Sequence, residues 1–119
     1  MREKPRNALQ AKLYLGVADM ADGLYTITEI KNLIKPVAIR YGVERVCLFG
    51  SYARGDAQLS SDIDLHIDKG AIRGYFKLAG FHREIEEALD TQVDIITTGA
   101  LDAEFLSRIA KEEVVLYEQ

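Results

Sequence analysis

Hydrophobic positions along the chain follow two periods, and each switch between them marks a new element. Ile30, Leu33, Ile34, Val37, Ala38 and Tyr41 recur at helical spacing. Thr26 and Glu29 stand ahead of that run as a capping box, in which hydroxyl and carboxylate satisfy backbone N–H groups that the first turn leaves open. Gly42 is the natural stop. Pro36 falls inside the pattern and, lacking an N–H, is expected to kink or divide the helix. Arg45 to Phe49 is a short β-rich run. Asp62 to Asp68 alternates strictly, with Ile63, Leu65 and Ile67 on one face and Asp62, Asp64, His66 and Asp68 on the other. Past a loop bracketed by Gly70 and Gly74, the helical period returns. Leu78, Phe81, Ile85, Ala88 and Leu89 form one face of a helix expected from Tyr75 to Leu89. Val93 to Thr97 reads as a third strand, Leu101 to Lys111 as a last helix and Val114 to Tyr117 as a last strand. This succession predicts an α+β (α/β-type) domain, a small mixed β-sheet flanked by helices. Residues 1–24 mix basic, small and polar side chains and are expected to form an N-terminal extension to a domain spanning 25–119.

Composition narrows this picture. A length of 119 residues gives one core, and 48% hydrophobic with 29% charged residues is an ordinary globular balance. The formal net charge of -4 argues against a long nucleic-acid track. The single cysteine, Cys47, cannot form an internal disulfide and sits in an apolar run, where burial is expected. No apolar stretch approaches the roughly 18–20 residues that span a bilayer, and the run after Lys12 is short for a signal-peptide core. These features point to a cytoplasmic protein.

The chemistry concentrates between residues 50 and 94. Asp62 and Asp64, at i and i+2 on a strand, project side by side from one face. Carboxylates that close repel unless a cation neutralises them, and oxygen ligands of this kind suit Mg²⁺ or Mn²⁺. An ordinary solvated strand face can also carry such a pair, so the pair alone decides nothing. An EF-hand is excluded, because Ile67 stands at the sixth position of a loop starting at Asp62, where a glycine is needed. Ahead of the pair, Gly50-Ser51 leaves a strand directly, and a turn of that composition can bring N–H groups and a hydroxyl to phosphate oxygens. Arg54 adds a cation suited to phosphate. No Gly-Lys-Ser/Thr follows, so this is not a Walker A loop.

Taken together, Gly50-Ser51-x-Ala53-Arg54-Gly55 followed by Ser61-Asp62-Ile63-Asp64-Leu65 resembles the signature of the polymerase-β-like nucleotidyltransferase superfamily, and within it the MNT, or minimal nucleotidyltransferase, branch. The resemblance covers roughly residues 28 to 117. It implies a third carboxylate on a neighbouring strand, and Asp94 stands where that residue belongs. It also implies that Asp62, Asp64 and Asp94 bind two divalent ions, Mg²⁺ or Mn²⁺, and that Asp94 helps deprotonate the attacking hydroxyl. Gly50, Ser51, Arg54 and Ser61 would bind the nucleotide. His66 departs from the aliphatic residue expected at its position and is read as a packing or rim residue.

The implied activity is transfer of AMP from ATP to a hydroxyl acceptor. A domain this small leaves the acceptor wall to another protein, and MNT proteins pair with HEPN-domain RNase toxins, so the leading expectation is an antitoxin enzyme that adenylylates a toxin tyrosine. Two alternatives remain open: adenylylation of a small molecule such as an aminoglycoside, alone or as an oligomer, and a non-catalytic module that masks a toxin by contact.

Overall fold

The computed structural model describes residues 24–119. Leu24, the last residue of the expected extension, packs half-buried against the core. The remainder of that extension, residues 1–23, lies outside the described residues.

Helix α1 spans Ile27–Tyr41 and begins on the expected capping box, with Glu29 N–H donating to Thr26 Oγ1 at 3.1 Å and Thr26 N–H to Glu29 Oε1 at 2.7 Å. It ends on Gly42 in the left-handed conformation, with φ 69°. The expected division at Pro36 does not occur, and one helix runs through it. Pro36 and Asn32, whose carbonyl loses its partner, both lie on the exposed face, where solvent can reach that oxygen. The opposite face buries Ile30, Ile34, Val37 and Ala38 and holds the helix together.

Strand β1 (Arg45–Phe49) leads into a single helical turn, α2 (Ser51–Arg54), and then to β2 (Ile63–Asp68). Helix α3 (Gly74–Leu89), strand β3 (Val93–Thr97), a 3-10 turn (Thr98–Ala100), helix α4 (Ala103–Ala110) and strand β4 (Val114–Glu118) complete the order. The last helix is shorter than expected. Asp102 accepts the Phe105 N–H at 2.7 Å and caps it there, while the preceding residues turn as the 3-10 segment.

The sheet is mixed, in the order β3-β2-β1-β4; β1 is antiparallel to both β2 and β4, while β2 and β3 are parallel. Its inner face carries Val46, Leu48, Ile63, Leu65, Ile67, Val93 and Leu116 against α1 and against Phe81, Ile85 and Leu89 of α3. Tyr25 donates its hydroxyl to the Leu89 carbonyl at 2.6 Å and joins the chain just ahead of α1 to the end of α3. The other face carries the polar residues of β2, and the candidate site lies at one end of it.

Candidate active site

Strand register assembles the site. Asp64 lies opposite Phe49 across the antiparallel β1–β2 pair and opposite Asp94 across the parallel β2–β3 pair. Gly50 follows Phe49 out of β1 and so passes directly over the Asp64 carboxylate. Its φ of 76° favours glycine, and a Cβ there would stand 2.2 Å from Asp64 Oδ2. The Gly-Ser turn and the carboxylates thus belong to one close-packed unit. Asp62 immediately precedes β2 and lines the same cleft of about 610 Å³, within the usual range for small-molecule sites. Gly50, Ser51, Arg54, Ser61, Asp62, Asp64 and Asp94 all line it.

The carboxylates sit in a poorly compensated environment. Burial pushes Asp64 up to about 6; the charge of Asp94, a hydrogen bond to it and the charge of Asp62 push the same way, and Arg54 opposes them. A cation placed between these groups would remove the repulsion, and an all-oxygen donor set suits Mg²⁺ or Mn²⁺. Among the described residues no three such side chains converge into a ready metal cage. Mg²⁺ takes one or two carboxylates and completes its shell with waters and substrate phosphates. Asp64 is half-buried on an interior strand, whereas Asp94 is exposed on the edge strand β3.

The remaining predicted residues differ in how far they are committed. Ser51 opens α2 beside Gly50. Ser61 Oγ accepts the Gln58 N–H at 2.8 Å and closes the turn ahead of Asp62. Arg54 pairs with Asp56 at 3.2 Å and with Glu112 at 3.3 Å.

The model of the polymerase beta nucleotidyltransferase family matches residues 31–119, a span that contains the whole cleft. The chain belongs to that family. A Methanocaldococcus jannaschii protein, named among the protein adenylyltransferases, is 36% identical over 88 residues, covering 74% of this chain and 95% of its own. A solved structure described as a minimal nucleotidyltransferase superposes with a TM-score of 0.67 at 26% identity, over 76% of this chain and 95% of that one. A Shewanella oneidensis complex of tri-AMPylated HEPN toxin with MNT antitoxin shares the fold, with a TM-score of 0.61 at 17% identity over 79% of this chain and 74% of that one.

Sequence reasoning missed the far wall of this nucleotidyltransferase cleft. Phe49, Phe105, Arg108, Ile109 and Glu112 line it. Phe105 meets Phe49 edge to face, with ring centroids 6.5 Å apart, and Arg108 lies over the Phe105 ring. A signal was available: Phe105, Arg108, Ile109 and Glu112 follow one another at i, i+3, i+4 and i+7, a single helical stripe. His66 is buried, as a packing residue, with Nδ1 2.7 Å from Glu113 Oε1 and Nε2 2.8 Å from Thr98 Oγ1. Cys47, its neighbour on β1, is buried as expected, and burial pushes its thiol up to about 11, which keeps it unreactive.

Proposed function

We propose that the protein is a metal-dependent adenylyltransferase that moves AMP from ATP onto a hydroxyl of a partner protein, a tyrosine of a HEPN-domain toxin. The observation that carries this reading is the register placing Asp94 across from Asp64, with the Gly50 turn against the same carboxylate. The adenylyltransferase name of the Methanocaldococcus jannaschii relative and the AMPylated toxin in the Shewanella oneidensis complex support the choice of nucleotide and acceptor.

Gly50 N–H, the Ser51 hydroxyl and Arg54 hold the β- and γ-phosphates, and Ser61 steadies the approach to Asp62. Asp62, Asp64 and Asp94 would hold two divalent ions, which would supply charge neutralisation for the displacement. Asp94, exposed on the edge strand, draws the proton from the acceptor hydroxyl. The hydroxyl oxygen then bonds to the α-phosphorus, the bond from that phosphorus to the α,β-bridging oxygen breaks, and pyrophosphate leaves with both electrons. Phe49, Phe105 and Arg108 offer the nucleotide an aromatic and cationic wall.

The test is incubation with ATP, Mg²⁺ and a co-expressed HEPN-domain partner, followed by intact-mass analysis. The expected result is one or more adenylate additions to the partner, abolished by Asp62→Asn or Asp64→Asn. Complex formation without any added mass would make the protein a masking module. A modified aminoglycoside with an unmodified partner would move the acceptor to a small molecule.

A further inference from the structure

Glu112 lies on the donors that the proposed function assigns to the phosphates. Gly50 N–H donates to Glu112 Oε1 at 3.0 Å, and Arg54 Nη1 reaches Oε1 at 3.4 Å and Oε2 at 3.3 Å. These are the donors that hold the triphosphate in the proposed function, and the role of Glu112 rests on that reading. A carboxylate and a phosphate are both oxyanions that seek the same N–H groups, and one backbone N–H cannot serve both at full strength. Their charges also repel. Either the side chain or the nucleotide holds the donors.

The surroundings allow that side chain to leave alone. The Glu112 and Glu113 N–H groups both donate to the Ile109 carbonyl at 3.0 Å, which ties the turn after α4 to the helix. Next along the chain, the Glu113 carboxylate is anchored to buried His66. The backbone on either side is therefore held by contacts independent of Gly50 and Arg54. The Glu112 side chain is 28% exposed and its Arg54 partner 48%, so their contact opens onto the cleft and not into the core.

We propose that Glu112 is an internal competitor for the triphosphate subsite. It covers the Gly50 and Arg54 donors in the empty enzyme, rotates away when a metal-bound nucleoside triphosphate enters, and returns as pyrophosphate departs. A ligand must bring enough charge to displace it. The residue therefore weakens every ligand that needs these donors, pyrophosphate included, and so speeds clearance of the product.

The test is calorimetric titration of the full chain at fixed ionic strength with Mg²⁺ plus a non-hydrolysable ATP analogue, and separately with Mg²⁺ plus inorganic pyrophosphate. Glu112→Ala removes the competitor, and Glu112→Gln keeps its shape without its charge. Glu104→Gln, an exposed position on α4 that does not line the cleft, makes the same change in net charge. Glu112→Ala is expected to bind both ligands about tenfold more tightly than wild type, Glu112→Gln to fall between them, and Glu104→Gln to stay within about twofold. Pyrophosphate should also inhibit turnover more strongly in both Glu112 variants. Wild type that binds the analogue while folded Glu112 variants bind no tighter would overturn the competitor and leave the assignment of the phosphate subsite intact. Weaker binding in those variants would overturn it too, by making Glu112 a ligand contact. Failure of wild type to bind the analogue at all would remove the phosphate subsite itself, and the competitor with it.

Discussion

Asp64 is a residue whose placement works against the fold that holds it. Its carboxyl is raised from 3.8 to about 6, first by burial and then by Asp94. The native state therefore binds this proton more tightly than the unfolded chain does. The resulting stability is fully present below about pH 3.8 and is lost as pH rises through about 6. At neutral pH the metal-free protein keeps a crowded, ionised carboxylate at a cost, as functional sites commonly do. Asp64→Asn removes the charge and nearly preserves the shape. In EDTA this variant should match wild type near pH 4 and melt several degrees higher at pH 7.5, measured by thermal denaturation across that range. A constant difference at every pH would mean that Asp64 is not strained by its neighbours. The crowding of Asp62 and Asp64 was legible from their i, i+2 spacing on a strand. The contribution of Asp94 was not legible from spacing, because a contact between strands 30 residues apart leaves no local period; it came from the resemblance.

Elements were legible where a local rule and a packing rule agreed. The Thr26–Glu29 box, the Gly42 stop and the alternation of β2 all appear as the pattern implies. The sequence reading went wrong where one rule outweighed another. At Pro36 the missing N–H argued for a kink or a break, and the break does not occur, because the buried stripe of α1 carries more free energy than one solvent-facing carbonyl loses. The last helix starts late because Asp102 is a better cap than anything around Leu101. These opposing terms can be measured separately. Thr26→Ala should destabilise the protein by about 1 kcal/mol through loss of the cap. Pro36→Ala restores a helical hydrogen bond on an exposed face while making the unfolded chain more flexible, and should stabilise by about 1–2 kcal/mol. Urea unfolding of both variants checks the pair. A destabilised Pro36→Ala would show that the proline is used, either as a constraint on the unfolded chain or as a bend that packing requires.

At the scale of the whole molecule, the site joins four parts of the chain: the end of β1 with α2, the start of β2, the start of β3, and the α4 stripe continued to Glu112. The first three were legible because motif residues mark them. The last showed only as a helical stripe that nothing in the sequence tied to the cleft, since Phe49 meets Phe105 only through the fold. On the proposed function the layout also separates two jobs. Asp62 and half-buried Asp64 lie beside the Gly50 turn, on the nucleotide side, whereas exposed Asp94 sits on edge strand β3, on a side open to an incoming protein. Binding of the metal–nucleotide complex should therefore depend chiefly on Asp62 and Asp64, and proton removal from the acceptor on Asp94. Asp94→Asn keeps the side-chain volume and removes the charge. It should bind Mg²⁺-ATP with nearly wild-type affinity by calorimetry and still co-purify with its partner, yet transfer AMP on the order of 10³-fold more slowly, about 4 kcal/mol of lost transition-state stabilisation. Loss of nucleotide binding in this variant would place Asp94 on the nucleotide side with Asp64. Unchanged transfer would show that another group takes the acceptor proton, and the search for it would turn to the partner's own surface.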